Sequence, residues 1–175
     1  MNVIRSLTGL ILLLVCYGAH SEGDLNLGSA KRPDIHWQIH NGTADQCGFL
    51  GGRIDFCDAH LSSLITASYQ TARPNFSRTY VLLAIPIRWY STTSIAYVAI
   101  DTTSGEAHPL PFDFLEVDGE PPSAETGLRH IAFSLDSNEV CLTGLLWAYK
   151  ETLTGKNCWR LTGDVFKGSR TPFTD

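Results

Sequence analysis

Apolar and polar residues alternate from Asp34 to His40: Ile35, Trp37 and Ile39 interleave with His36, Gln38 and His40. A period of two is that of a half-buried strand. Residues 41–56 then turn glycine-rich and polar, which predicts a loop. The period changes after Asp58, where Leu61, Leu64, Ile65 and Tyr69 form one stripe of a short amphipathic helix. Asp58 is suited to cap that helix, and Pro74 forces its end. From Tyr80 the chain reads as strands. "TYVLLAI" is an apolar run, and Pro86 marks an edge or a bulge because proline donates no hydrogen bond. "SIAYVAID" and "EAHPLPF" predict two strands joined around Thr102–Gly105. "HIAFSLD", "EVCLTGLLWAY" and "NCWRLTGDVF" predict three more, with turns at Asp136–Asn138 and Thr154–Asn157. Residues 116–127 predict a polar loop. The expectation is a mainly β domain, an antiparallel meander with one short helix in its N-terminal half; α+β is the alternative class.

The 175 residues suffice for one domain with a core. The first 21 have the layout of a secretory signal peptide. Arg5 precedes the apolar run Leu7–Val15, and Ala19 and Ser21 place small residues before a cut after position 21. That run is shorter than the ~20 residues a membrane-spanning helix needs. A lipidated Cys16 is the alternative, but Val15 stands where a small residue is expected. The predicted organisation is a leader at 1–21, a flexible arm at 22–33 and a single β-rich domain at 34–175. Cleavage removes Arg5 and no acid, which takes the net charge from −5 to −6. A mildly acidic chain without a basic cluster is a poor nucleic-acid binder. The mature chain keeps Cys47, Cys57, Cys141 and Cys158. An even count in an exported protein points to two disulfides, and local pairing gives Cys47–Cys57 and Cys141–Cys158.

From Ala72 onward the chain resembles a family of small exported bacterial proteins of uncharacterised activity. Asn75-Phe76-Ser77-Arg78-Thr79-Tyr80 stands where that family has an Asn-Phe-x-x-x-Tyr lead into a strand. Ile100-Asp101-Thr102-Thr103-Ser104-Gly105 matches its Asp-x-x-x-Gly hairpin, and Asp136-Ser137 to Gly144 matches its Asp-Ser strand. Trp159-Arg160-Leu161 matches its final aromatic strand. Where the family has a Gly-Cys-Gly-x-x-Cys segment, this chain has Ile85-Pro86-Ile87-Arg88-Trp89-Tyr90. The resemblance implies an exported β-rich domain and supplies no catalytic residues.

Each candidate for chemistry has a structural reading beside it. Asp101 and Gly105 have turn geometry as a sufficient job. His36 and His40 have metal-like spacing, but four residues of strand span about 13 Å, too far for one ion. No metal site or cofactor is expected. No G-x-S-x-G elbow surrounds Ser62 or Ser63, and Cys57 beside His60 is better read as half of a disulfide. Asp113, Glu116, Asp118 and Glu120 form an acidic run, read as a solvated loop, a contact for a basic partner or paired carboxylates. Trp147, Tyr149 and Trp159 can stack a ligand, anchor a partner or fill the core. Asn41 and Asn75 sit in glycosylation-type triplets.

No segment combines a reacting group, a base and an orienting partner. The expected function is a non-catalytic binding protein of the periplasm or exterior. Its binding residues would be Asp113, Glu116, Asp118, Glu120, Trp147, Tyr149 and Trp159. In concrete form it would be an inhibitor or immunity protein acting on a periplasmic or secreted protein. The alternatives are a cell-envelope hydrolase using Asp113 and Glu116, and a structural envelope protein.

Overall fold

A computed structural model describes residues 31–39, 47–89, 92–117, 119 and 123–174. The expected leader, most of the arm, His40, Asn41, Asp118 and Glu120 lie outside the described residues. Lys31–Asp175 forms one compact unit.

The fold is mainly β. Strands β2 (Tyr80–Trp89) and β3 (Thr92–Asp101) form a long antiparallel hairpin in a seven-stranded sheet, with β2 at an edge. The other edge of β3 is shared. Strand β4 (Glu106–Pro109) pairs with Val98–Ile100, and β5 (Phe114–Val117) pairs with Thr93–Ile95. Pro109 ends β4 and Pro111 lies in the break between these two strands, and neither can donate a ladder hydrogen bond. The short β1 (His36–Trp37) adds in parallel to β4, so the sheet is mixed rather than the antiparallel meander the alternation predicts. Of the strand expected at Asp34–His40, the described residues form only those two. Beyond β5 follow β8 (Leu145–Ala148) and β9 (Glu151–Leu153).

A second, antiparallel sheet has the order β11 (Val165–Gly168), β10 (Lys156–Thr162), β7 (Glu139–Thr143), β6 (Ile131–Ala132). The segment "EVCLTGLLWAY" is therefore two strands in two sheets, with Gly144 at the switch from β7 to β8. "NCWRLTGDVF" is a hairpin that turns at Gly163-Asp164.

The large sheet is buried on both faces, which explains the unbroken apolar run in β2. Leu82, Ala84, Ile95, Tyr97 and Leu115 face the second sheet and meet Val140, Leu142, Trp159 and Phe166 there. Val81, Leu83, Ile85, Val98 and Ile100 face helix α1 (Ala59–Thr71), which contributes Ile65 and Tyr69. Asp58 caps α1 as its position predicts, accepting from the amides of His60 and Leu61 at 3.0 and 3.2 Å. At the other end Arg32 donates to the carbonyls of Tyr69 and Ala72. A guanidinium there also complements the negative end of the helix dipole.

A second helix, α2 (Ala124–Arg129), replaces part of the loop expected at 116–127. Ser123 caps it through the amide of Thr126 at 3.0 Å. Gly127 lies against the sheet, where a Cβ would sit 2.6 Å from Ala84 Cβ and 2.7 Å from Ile95 Cγ2. The expected Asp101–Gly105 hairpin is present: Asp101 accepts from the Thr103 amide at 2.8 Å, and Gly105 takes a φ of 81°. Both cysteine pairs are joined as local pairing predicts. Cys141 and Cys158 face each other across β7 and β10, and Cys47–Cys57 closes the loop before α1.

Candidate functional site

The Cys47–Cys57 loop is held against the sheet by one carboxylate. Asp113, just before β5, is 2% exposed. Its Oδ1 accepts from the Arg53 amide at 2.6 Å, and its Oδ2 accepts from the Tyr149 amide at 2.7 Å. Burial raises its pKa above the usual carboxylate value, opposed by these backbone amides, the Arg53 charge and the amide of Ile54. The loop reaches this anchor because its apex carries Gly51 and Gly52. Gly51 has a φ of 74° and lies against the Tyr149 ring, where a Cβ would sit 2.8 Å from Cε2. At Gly52 a Cβ would sit 3.0 Å from Asp113 Oδ1.

The clamp builds a surface beside it. Glu116 Oε2 accepts from Trp147 Nε1 at 2.8 Å, and both side chains are half-buried on the α1 face of the sheet. The Arg53 guanidinium lies 5.0 Å from the centre of the Trp147 ring, and the Lys150 ammonium lies 4.9 Å from that of Tyr149. Such cation–ring contacts hold long cationic side chains over flat apolar faces. Tyr149 is 37% exposed, and Leu50, at the loop apex beside Gly51, is 65% exposed.

The expected binding residues therefore divide. Glu116, Trp147 and Tyr149 come together at one surface. Asp113 lies beneath it as an internal hydrogen-bond acceptor. Trp159 is fully buried in the core, stacked on Phe112 with ring centres 5.4 Å apart, and it donates to the Ser169 carbonyl at 2.7 Å. The acidic run is not one solvated loop, because Phe114–Val117 is an inner strand between β3 and β8.

The loop residues Leu50 and Arg53 join the surface without having been singled out from the sequence. The signal available was Leu50 itself, a large apolar residue followed by two glycines inside a short cysteine-closed loop. Among the other candidates, His36 and His60 are exposed, and Cys57 is in its disulfide. Among the described residues no group of three or more His, Cys, Asp or Glu is placed to hold a metal ion. Asn75 holds the Leu82 backbone from both sides of its amide, at 3.1 and 2.7 Å, and so serves as a partner for the β2 edge.

Comparison with known proteins finds no matching family, no similar curated protein and no similar solved structure. Among the described residues no helix is long and apolar enough to cross a membrane.

Proposed function

We propose that this is an exported, non-catalytic binding protein whose contact surface is Leu50, Arg53, Trp147, Tyr149 and Lys150, rimmed by Glu116. Its partner is a periplasmic or secreted protein, and an inhibitor or immunity role fits that arrangement. The observation that carries the reading is the exposed Leu50 on a doubly anchored loop whose next residue, Gly51, lies against the exposed Tyr149 ring. Protein-binding sites concentrate their energy in aromatic and arginine side chains held rigid beside apolar anchors. The hydrolase reading draws less support, because both oxygens of Asp113 and one of Glu116 are engaged by internal donors.

The test compares mature wild-type chain with a Leu50→Asp, Tyr149→Ser variant, each immobilised with disulfides intact and challenged with envelope extract. A protein retained by the wild type and lost by the variant supports the reading, with an expected loss of about 2 kcal/mol or more, roughly thirtyfold in Kd. Equal retention by both chains refutes this surface. Turnover of envelope polymers that Glu116→Gln abolishes would establish the hydrolase instead.

A further inference from the structure

A cavity of about 100 Å³ lies beside β4 and the β10–β11 hairpin. Phe49, Phe166 and Phe173 form much of its wall, and His108, Asp164 and Lys167 also line it. The ring of Phe173 stacks on that of Phe49 with centres 4.5 Å apart. His108 is 2% exposed, and among the described residues neither ring nitrogen has a partner at ordinary hydrogen-bond distance. A buried polar group in that condition is costly and calls for an explanation. Among the described residues the one approach to the imidazole is a weak hydrogen bond to the Asp164 backbone, longer than an ordinary one.

The surroundings of the ring favour one sign of charge. Asp101 at the end of β3, Glu106 on β4 and Asp164 in the β10–β11 turn all act on it as anions. Tyr80 on β2 packs with its ring 5.9 Å from the imidazole. Burial and the same three carboxylates raise the Tyr80 pKa, so the phenol stays neutral. Lys167 on β11 is exposed and is the one cation among the described residues of the lining. Burial lowers the His108 pKa, which keeps the imidazole neutral and leaves one nitrogen as an acceptor.

We propose that this cavity binds a small organic cation, an alkylammonium or guanidinium group, with a nitrogen of His108 as its hydrogen-bond acceptor. The rings of Phe49, Phe166 and Phe173 that line it add cation–ring attraction. Scaled from a cavity of ~150 Å³ that holds benzene, the space takes about four non-hydrogen atoms, the size of a guanidinium or propylammonium group. Both nitrogens are covered in this structure, so occupancy turns the imidazole about its Cβ–Cγ bond to present one of them. The cation is supplied by a free amine or by a lysine or arginine side chain of a bound protein. The proposal stands on the cavity alone and does not depend on the partner surface.

The test titrates the mature chain with propylammonium and methylguanidinium at about pH 8, above the ordinary histidine range. Neutral 1-propanol serves as the control of equal size, and the imidazole ¹⁵N resonances of His108 report the event. The expected result is cation binding about tenfold tighter than 1-propanol, with a shift at one His108 nitrogen and loss of binding in His108→Phe. Lys167→Ala changes an exposed residue and should tighten cation binding severalfold. Cations that bind no tighter than 1-propanol overturn the proposal, as does binding that survives His108→Phe. Unchanged or weakened cation affinity in Lys167→Ala overturns it too. Tighter binding of a lysine-containing tripeptide than of propylammonium assigns the source to a protein side chain, and the reverse assigns it to a free amine.

Discussion

At the scale of single residues, two buried titratable groups set opposite pH responses. Asp113 has a raised pKa in the folded state, so the folded chain holds its proton more tightly than the unfolded chain. Its contribution is fully present below the ordinary carboxylate value and is lost as pH rises through the folded value. At neutral pH the charged form is kept by its two backbone donors. Asp113→Ala should therefore cost about 2–4 kcal/mol, since it leaves two amides without acceptors. Asp113→Asn should cost less, because the amide keeps one acceptor oxygen. Urea denaturation of the three chains checks the order. His108 behaves in the opposite sense. Its folded pKa is depressed, so its contribution is present above about pH 6.5 and is lost as pH falls through the folded value. Stability measured through that window should fall less steeply in His108→Leu than in wild type. Equal slopes would show that the imidazole does not titrate differently in the two states.

Turn and cap residues were legible because their partners are near in sequence. Asp101 bonds Thr103, and Asp58 bonds His60 and Leu61. Asp113 was not legible. Its partners lie 60 and 36 positions away, and no local pattern marks a carboxylate as interior.

At the scale of elements, helix α2 shows packing overriding propensity. Propensity alone makes Gly127→Ala favourable by about 1 kcal/mol in a helix interior. The close approach to Ala84 and Ile95 reverses the sign. The substitution should destabilise by about 1–3 kcal/mol, read from the denaturation midpoint. A more stable variant would mean that α2 can lift away from the sheet. Asp58→Ala should cost about 1 kcal/mol by removing the cap of α1. The sequence hid α2 because its interior glycine and the prolines just before it read as loop. The break between β7 and β8 was hidden for another reason. Its residues keep the same apolar character on both sides of Gly144, and periodicity does not record which sheet a strand joins.

At the scale of the molecule, the two disulfides act on different parts of the fold. Cys141–Cys158 ties two adjacent strands of the second sheet, whereas Cys47–Cys57 closes the loop that carries Leu50 and Arg53. Replacing Cys141 and Cys158 by serine should cost about 2–4 kcal/mol of global stability. Replacing Cys47 and Cys57 should weaken partner binding more than it lowers the melting temperature, because Phe49, Ile54 and Phe56 keep the loop seated in the core while its exposed apex loosens. Calorimetry of both variants beside the retention assay separates the two effects. A melting loss for the loop pair as large as for the strand pair would make that loop part of the main cooperative unit.

What the sequence determined by itself was local or compositional. Alternation and branched apolar runs made the domain mainly β, Asp58 and the stripe after it made one helix, and the Asp101–Gly105 turn made one hairpin. Cysteine spacing made the two short-range pairs. Each of these depends on neighbours along the chain, so spacing alone carries the physics. The tertiary structure decided which surfaces meet. It buried Asp113 and Trp159, brought Glu116, Trp147 and Tyr149 beside an apolar loop apex, and enclosed the His108 ring beside the Asp164 turn. Those outcomes follow from long-range pairing and from the break between β4 and β5, where burial is set by what packs across the sheet rather than by what lies next in the chain.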